Sequence, residues 1–409
     1  MTQSNKLAIK MAVSLALLIM LAVSQLGCNE ITSSGKQLAL QNGETTNPTI
    51  QSVERAASWL LTQQSADGAW RSETYGNMRG GVGNTALIVT ALSRLPEPFA
   101  ARVNRSVSHG VDYLSKHLNA HDDGQKVGGP PDYPMYATAL LVTALTSRHG
   151  EANTSQLIEE LCEALLRAQR NRLTGWTPDA NDFGGWGMFD DTELGPAGAR
   201  AANVSTTVHV LEALFSAKRL TASCEADAIV FLTRCQNLGV ADRDAGGFYF
   251  TPTPDDPLNK AGWLQSDTGA LRAHSYYSAT CDGLAALLFC RVPREDSRVT
   301  AAVNWLGTQS TETNWDSTSS KLASTFSACG LDFYSAAAQA RVLQQLDHPS
   351  FEKSRTRTVQ KLLQQQRNDG SWSNFCESMR EDDPLIATAF ALLTLAADVP
   401  QSTKSSSAQ

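Results

Sequence analysis

Apolar residues in this chain recur in two kinds of run, which alternate from residue 50 to residue 398. The first kind keeps a charged face, as in Glu159-Glu-Leu-Cys-Glu-Ala-Leu-Leu-Arg-Ala168, and leads through a glutamine and a turn to an aromatic residue. Its clearest copies are Trp59-Leu-Leu-Thr-Gln-Gln-Ser-Ala-Asp-Gly-Ala-Trp70 and Leu362-Leu-Gln-Gln-Gln-Arg-Asn-Asp-Gly-Ser-Trp372. Weaker copies are Leu165 to Gln169 before Gly175-Trp176 and Gly184-Gly-Trp186, Phe231 to Gln236 before Gly246-Gly-Phe248, and Trp305 to Gln309 before Asn314-Trp315. A sixth, Val111 to His117 before Asp122-Asp-Gly124, keeps the helix and turn without the glutamine and tryptophan. Such spacing predicts helices with one face in water.

The second kind is poor in charge: Asn84 to Leu92, Tyr136 to Leu145, Val204 to Ala217, Tyr276 to Phe289, Leu331 to Leu346 and Leu385 to Ala397. Apolar residues lie nearly all round these runs, which predicts helices buried on every side. A phrase repeated along a whole chain dictates a repeat architecture. Six outer and six inner helices in strict alternation bury the inner set by closing on themselves, so the pattern predicts an all-α fold, a single (α/α)6 toroid. An open solenoid would carry atypical end repeats, whereas here the first and last copies are the best spelled.

The phrase has a structural rationale. A glutamine side chain offers two donors and an acceptor, suited to helix-terminal groups left without partners; Asp-Gly makes the turn, and the indole packs over the junction. Gln64, Gln169, Gln236, Gln309 and Gln366, with Trp70, Trp176, Trp315 and Trp372, are therefore expected to join neighbouring repeats.

Composition fits a globular body, with 42% hydrophobic and 18% charged residues, and a net charge of −7 without a basic stripe argues against a nucleic-acid partner. Lys6 and Lys10 precede the apolar run Met11 to Val23, and Ser24-Gln-Leu-Gly-Cys28 follows, which reads as an export signal over residues 1–28. Leu26-Gly27-Cys28 resembles a bacterial lipoprotein cleavage box with Cys28 as the lipidated residue, although Gln25 stands where that box usually has leucine. The expectation is an exported protein held at the bacterial membrane by a lipid or signal anchor, with ordinary secretion as the alternative. Residues 29–49 read as a flexible tether, 50–398 as the toroid and 399–409 as a disordered tail. Cys162, Cys281, Cys290 and Cys329 fall in apolar runs as small core residues, and Cys224 and Cys235 are read as unbridged.

Gln63-Gln-Ser-Ala-Asp-Gly-Ala-Trp70, Gln365-Gln-Arg-Asn-Asp-Gly-Ser-Trp372, Gly184-Gly-Trp-Gly-Met188 and Ser278-Ala-Thr-Cys-Asp-Gly-Leu-Ala-Ala-Leu287 resemble the repeats of squalene–hopene cyclases, oxidosqualene cyclases and protein prenyltransferase β subunits. The resemblance covers residues 50 to 398 and implies a terpenoid-cyclase-like toroid with an isoprenoid, squalene-like substrate or ligand. Squalene–hopene cyclases protonate an alkene with an aspartate in an Asp-x-Asp-Asp motif, which this chain lacks. Met188-Phe-Asp-Asp191, Arg380-Glu-Asp-Asp383 and Asp242-Arg-Asp244 each miss an aspartate, and Gly81-Val-Gly-Asn84 has the cadence without the acids. The prenyltransferase resemblance would imply a zinc site, for which His274, Cys281 and Asp282 are the weak candidates, without that family's spacing. No cofactor is otherwise indicated: nucleophile-elbow, phosphate-loop and paired Cys-x-x-Cys motifs are all missing from the sequence.

The remaining acids are candidate catalytic groups. Asp190, Asp191, Asp382 and Asp383 precede inner runs, where acids also serve as helix caps. Inner-helix entrances converge on one mouth of a toroid, so paired carboxylates there could do acid–base work, with Tyr136, Tyr276, Tyr277, Asp332, Phe333 and Tyr334 lining the site. Three readings remain open: a terpene-cyclase-like enzyme or transferase with a non-standard acid, a non-catalytic toroid outside the cytoplasm that binds a lipid or a protein, and a carbohydrate-active toroid.

Overall fold

The computed structural model describes residues 47–118, 132–148, 154–265, 269–309, 331–377 and 380–399. Among them six outer helices, α1 (Pro48–Thr62), α3 (Phe99–Leu118), α5 (Ser155–Arg167), α7 (Ala222–Arg234), α9 (Ser297–Gln309) and α11 (Glu352–Gln365), run in alternation with six inner ones. The inner helices are α2 (Val82–Ser93), α4 (Pro134–Ser147), α6 (Val204–Ser216), α8 (Tyr277–Phe289), α10 (Asp332–Gln345) and α12 (Pro384–Ala396). A small antiparallel hairpin, β1 (Trp263–Gln265) and β2 (Leu271–Ala273), pairs Leu264 with Arg272 ahead of α8. The export signal, Cys28, most of the tether, Trp315, Cys329, the turn at Asp122 to Gly124 and the last ten residues lie outside the described residues, as does the Gln309 side chain.

The two periodicities become two layers. Helix α2 buries every residue from Asn84 to Leu92. Helix α3 buries Phe99, Val103, Val107, Gly110, Tyr113 and Leu114, a stripe at steps of three and four. Helix starts are written into the sequence: the Asn203 side chain accepts the Thr206 N–H at 2.8 Å to open α6, and Asp383 accepts the Leu385 N–H at 2.9 Å with Pro384 in the first turn of α12.

Each inner helix packs on the next, α2 on α4, α4 on α6, α6 on α8, α8 on α10 and α10 on α12, and α12 returns to α2. The outer layer closes in the same place, α11 against α1. The repeated phrase makes these joints. Gln64 Nε2 donates to Gly68 O at 2.9 Å within its own turn and to Ser106 O at 2.8 Å on the next outer helix. Gln169 repeats this with Gly184 O and Cys224 O, and Gln236 with Gly246 O and Arg298 O. Gln366 donates to Gly370 O and to Ser52 O, both at 2.9 Å, so the last repeat grips the first helix with the same side chain that joins the others.

Aromatic side chains lock the same corner. The Trp70, Trp186 and Trp372 indoles donate to Leu60 O, Leu165 O and Leu362 O at 2.7–2.8 Å. Their backbone N–H groups, and that of Phe248, donate to Thr85, Thr207, Thr388 and Thr280 in the first turns of inner helices. In the third repeat the junction indole is therefore Trp186, while Trp176, also buried, lies with its ring 5.0 Å from the Arg170 guanidinium. The turn glycine is required: Gly370 has φ +96°, and a Cβ there would stand 2.6 Å from Arg55 O on α1.

If the phrase holds the ring shut, Gln366→Ala leaves two carbonyls without a donor and should cost about 1–3 kcal/mol, and Trp372→Ala about 3–5 kcal/mol. Urea unfolding checks both; midpoints equal to the wild type would refute the joint as described.

Candidate functional site

Neighbouring entrance loops are hydrogen-bonded to one another: Met135 N–H to Met188 O, Val204 N–H to Phe250 O, and Tyr75 and Ser72 to Asp382 and Asp383. This gathers the inner-helix N-termini at one mouth. Below it, the inner helices carry charged and polar side chains among their apolar ones.

Arg341 of α10 sits at the centre. Its Nε donates to Glu212 Oε2 of α6 at 3.0 Å, its Nη1 to Asp282 Oδ1 of α8 at 2.9 Å, and its Nη2 to His209 Nε2 of α6 at 3.0 Å. All four side chains are buried. Arg94, at the end of α2, also pairs with Glu212, so one network ties α2, α6, α8 and α10. Burial raises the Glu212 carboxyl, but Arg94 and Arg341 overcome it and hold the group near 2. Burial and the Arg341 charge push His209 down to about 3. The neutral ring matches its contacts, since Nδ1–H donates to Ser205 O at 3.0 Å while Nε2 accepts from Arg341.

Asp282 is the carboxylate nearest the mouth in chemical terms. Its Oδ2 accepts the Tyr334 hydroxyl at 2.6 Å, and Tyr334 in turn is hydrogen-bonded to Ser205. Burial pushes the Asp282 carboxyl up to about 6, against the pull of Arg341, Tyr334 and Lys260. Tyr136 and Tyr276 stand close enough to feel the same carboxylate, and burial raises both phenols, so they remain hydroxyl donors. Tyr136, Tyr276, Tyr334 and Lys260 each keep part of their surface open to solvent while the network beneath them is buried. Their exposed parts border the buried polar network, and this region is termed the recess. Rings continue its wall: Tyr133 meets Tyr136 at 6.4 Å, Tyr136 meets His209 at 5.3 Å and Tyr334 meets Phe390 at 5.2 Å, all edge-on.

Of the candidate lining residues, Tyr136, Tyr276 and Tyr334 come together here. Phe333 is a core residue, Asp332 pairs with Lys361 at 3.0 Å, and Tyr277 accepts from Gln339 at 2.8 Å between α8 and α10. The four candidate acids are each engaged locally. Asp190 accepts from Thr192, Asp191 is buried against Arg200 at 2.7 Å, Asp382 accepts from Tyr75, and Asp383 caps α12 and accepts from Ser72. His274 turns to Asp244 at 2.8 Å and Asp282 to Arg341. Burial raises the Cys281 thiol well above its usual range, away from the thiolate that zinc binds. Among the described residues no group of three or more His, Cys, Asp or Glu side chains is placed to hold a metal ion, and Cys224 and Cys235 are free and buried.

Sequence reasoning passed over Glu212, Arg341, His209, Ser205 and Lys260. A signal was present: Glu212 and Arg341 are charges inside runs otherwise fit for full burial, and such charges need partners. A further buried acid, Glu381, accepts the Tyr334 N–H at 2.9 Å and the Asn374 side-chain amide at 2.8 Å, so it fixes the start of α10. Burial pushes its carboxyl up to about 7.

The protein matches the family model described as A-macroglobulin TED domain over residues 36–251. No curated protein matches the chain. Among solved structures, the type II terpene cyclase MstE from Scytonema, in complex with geranylgeranyl dihydroxybenzoate as substrate, is similar at 16% identity and TM-score 0.53, over 86% of this chain and 98% of that one. The GH76A alpha-1,6-mannanase from Salegentibacter sp. HEL1_6 is similar at 10% identity and TM-score 0.55, over 86% and 98%. A protein from Actinoplanes is similar at 17% identity and TM-score 0.52, over 86% and 100%. These likenesses place the fold among the α/α toroids of the terpenoid cyclase and prenyltransferase kind.

Two outcomes are expected. Arg341→Ala leaves Glu212 and Asp282 buried without their shared cation and should cost about 3–5 kcal/mol; a loss below about 1 kcal/mol would show that the network is not desolvated. Glu381 holds its proton in the fold up to about pH 7, whereas an ordinary glutamate releases it near 4.5, so its contribution to stability declines as pH rises between these values. Relative to Glu381→Gln, the wild type should lose up to about 3 kcal/mol across that window. Parallel stability–pH curves for the two proteins would contradict this.

Proposed function

The chain belongs to the A-macroglobulin TED domain family, and on that premise we propose that its toroid is a binding module for a hydroxyl-rich ligand of the carbohydrate class, held at the mouth of the inner barrel. The observation that supports this reading is what fills the barrel below the mouth. Arg341, Glu212, Asp282 and His209 meet there, whereas an isoprenoid chain asks for apolar walls. Above them, Tyr136, Tyr276 and Tyr334 combine ring faces with hydroxyls, and Asp282 accepts hydrogen bonds. Rings for stacking and a carboxylate for hydroxyls are the groups a sugar uses.

Binding accounts for this arrangement better than hydrolysis. Glycosidic cleavage ordinarily needs two carboxyl groups facing each other across the bond, one of them protonated. Glu212 is held ionised by two arginines and Glu381 caps a helix, so Asp282 has no free partner among the described acids of the recess. Its carboxyl, near 6, is largely ionised at neutral pH and is suited to accept hydrogen bonds.

A second reading is supported by the likeness to MstE, whose substrate joins a geranylgeranyl chain to a dihydroxybenzoate head. The polar head of such a molecule would suit the recess, and the exposed Leu173, Leu194, Trp263 and Phe375 on the loops around the mouth offer apolar contacts for its tail. An export signal over residues 1–28 with Cys28 as its lipidation site, the expectation from the sequence, would be compatible with either reading, with the module held outside the cytoplasm at the membrane.

Calorimetric titration of the purified chain with α-1,6-mannotetraose and with detergent-dispersed geranylgeraniol separates the two. The carbohydrate reading expects the oligosaccharide to bind and Asp282→Asn or Tyr334→Phe to weaken it about tenfold, or ~1.4 kcal/mol. Binding of geranylgeraniol with no heat from the oligosaccharide would overturn it.

A further inference from the structure

Lys260 stands apart from the other charged groups of the recess. It follows Phe250 in the long entrance segment before β1, and its ammonium lies 4.9 Å from the Phe250 ring centroid. Among the described residues no ion pair or hydrogen bond reaches the ammonium. Asp282 and Glu381 are the acids whose charges reach it. Both are already occupied, Asp282 by Arg341 and Tyr334, and Glu381 by the Tyr334 and Asn374 amides.

A count of charge makes the point sharper. Two cations, Arg94 and Arg341, face two anions, Glu212 and Asp282, in direct contact. His209 is neutral, and Glu381 is pushed by burial to about 7, so near neutral pH it carries only part of a charge. Lys260 is the charge left over. Burial lowers its ammonium to about 8, so at neutral pH it is still largely protonated. A partly buried ammonium without an ion-pair partner among the described residues favours a ligand that completes it, and the N-termini of the inner helices gathered at the same mouth also favour negative charge.

We propose that the ligand held in this recess is anionic, a carboxylated sugar of the uronic-acid class, whose carboxylate pairs with Lys260 while its hydroxyls and ring meet the partly exposed Tyr136, Tyr276 and Tyr334. This rests on the mouth being the ligand site and narrows what it takes. A hydroxyl beside the carboxylate can accept from Tyr136 or Tyr276, while the carboxylate gives Lys260 its partner.

The test is calorimetric titration of the full chain with trigalacturonate, with neutral maltotriose, and with inorganic phosphate as a simple anion, in wild type, Lys260→Met and Lys260→Arg. The wild type should bind trigalacturonate at least about tenfold more tightly than maltotriose. Lys260→Met should erase that preference without lowering the melting temperature, and Lys260→Arg should keep most of it. Equal affinities for the two sugars, or a preference that survives in Lys260→Met, would overturn the proposal while leaving a carbohydrate site standing. If neither sugar binds but phosphate does, and Lys260→Met abolishes it, the anion site holds and the carbohydrate reading falls. Absence of binding by all three probes would overturn both.

Discussion

The structure depends on closure. Six helices that are apolar nearly all round can be buried only if the last inner helix has a neighbour, and that neighbour is the first: α12 packs on α2. The joint is made by a side chain already used elsewhere in the ring, since Gln366 reaches Ser52 O as Gln64 reaches Ser106 O. Closure thus needs no special device, only one more copy of the phrase, and the glycine of that copy lies against Arg55 as Gly68 lies against His109.

Closure also fixes what the interior can hold. A polar group buried within an inner helix must find a partner from another helix or bear the desolvation cost. Arg341 finds three, on two neighbouring helices, and a guanidinium is the side chain best shaped for this because its donors fan out in one plane. The same network that stabilises the inner layer orients Asp282 and Tyr334 towards the recess. Structure and candidate site are therefore not separable here, and a change to Arg341 would be felt in both.

Much of the fold was legible in the sequence because it is carried by local pattern. The two helix classes, their order and the joint residues Gln64, Gln169, Gln236 and Gln366 follow from periodicity and side-chain chemistry within a dozen residues of each turn. Trp176 was harder, because the entrance loop of the third repeat is long enough to hold two tryptophans and only packing shows that Trp186 meets Leu165. In the site, the tyrosines were visible as residues near inner-helix starts, whereas Asp282 was visible only as a weak zinc candidate. The pairing of Arg341 with Glu212, His209 and Asp282 was not, since it joins positions 59 to 132 residues apart that only the ring brings together. The reverse holds for Asp383, whose dual reading as acid or cap is resolved in its observed contacts as a helix cap.

The toroids of a terpene cyclase and of a mannanase resemble this chain almost equally, at TM-scores of 0.53 and 0.55, so the architecture does not choose between a lipid and a sugar, and the sugar reading proposed above rests on the polar content of the barrel. The most direct measurement is native mass spectrometry of the protein purified from a bacterial host rich in isoprenoids. A barrel filled by ion pairs predicts a mass without any polyprenyl or triterpene adduct. A stoichiometric isoprenoid that survives purification would contradict the account, because the proposed reading gives such a chain no apolar walls where Arg341, Glu212, Asp282 and His209 meet.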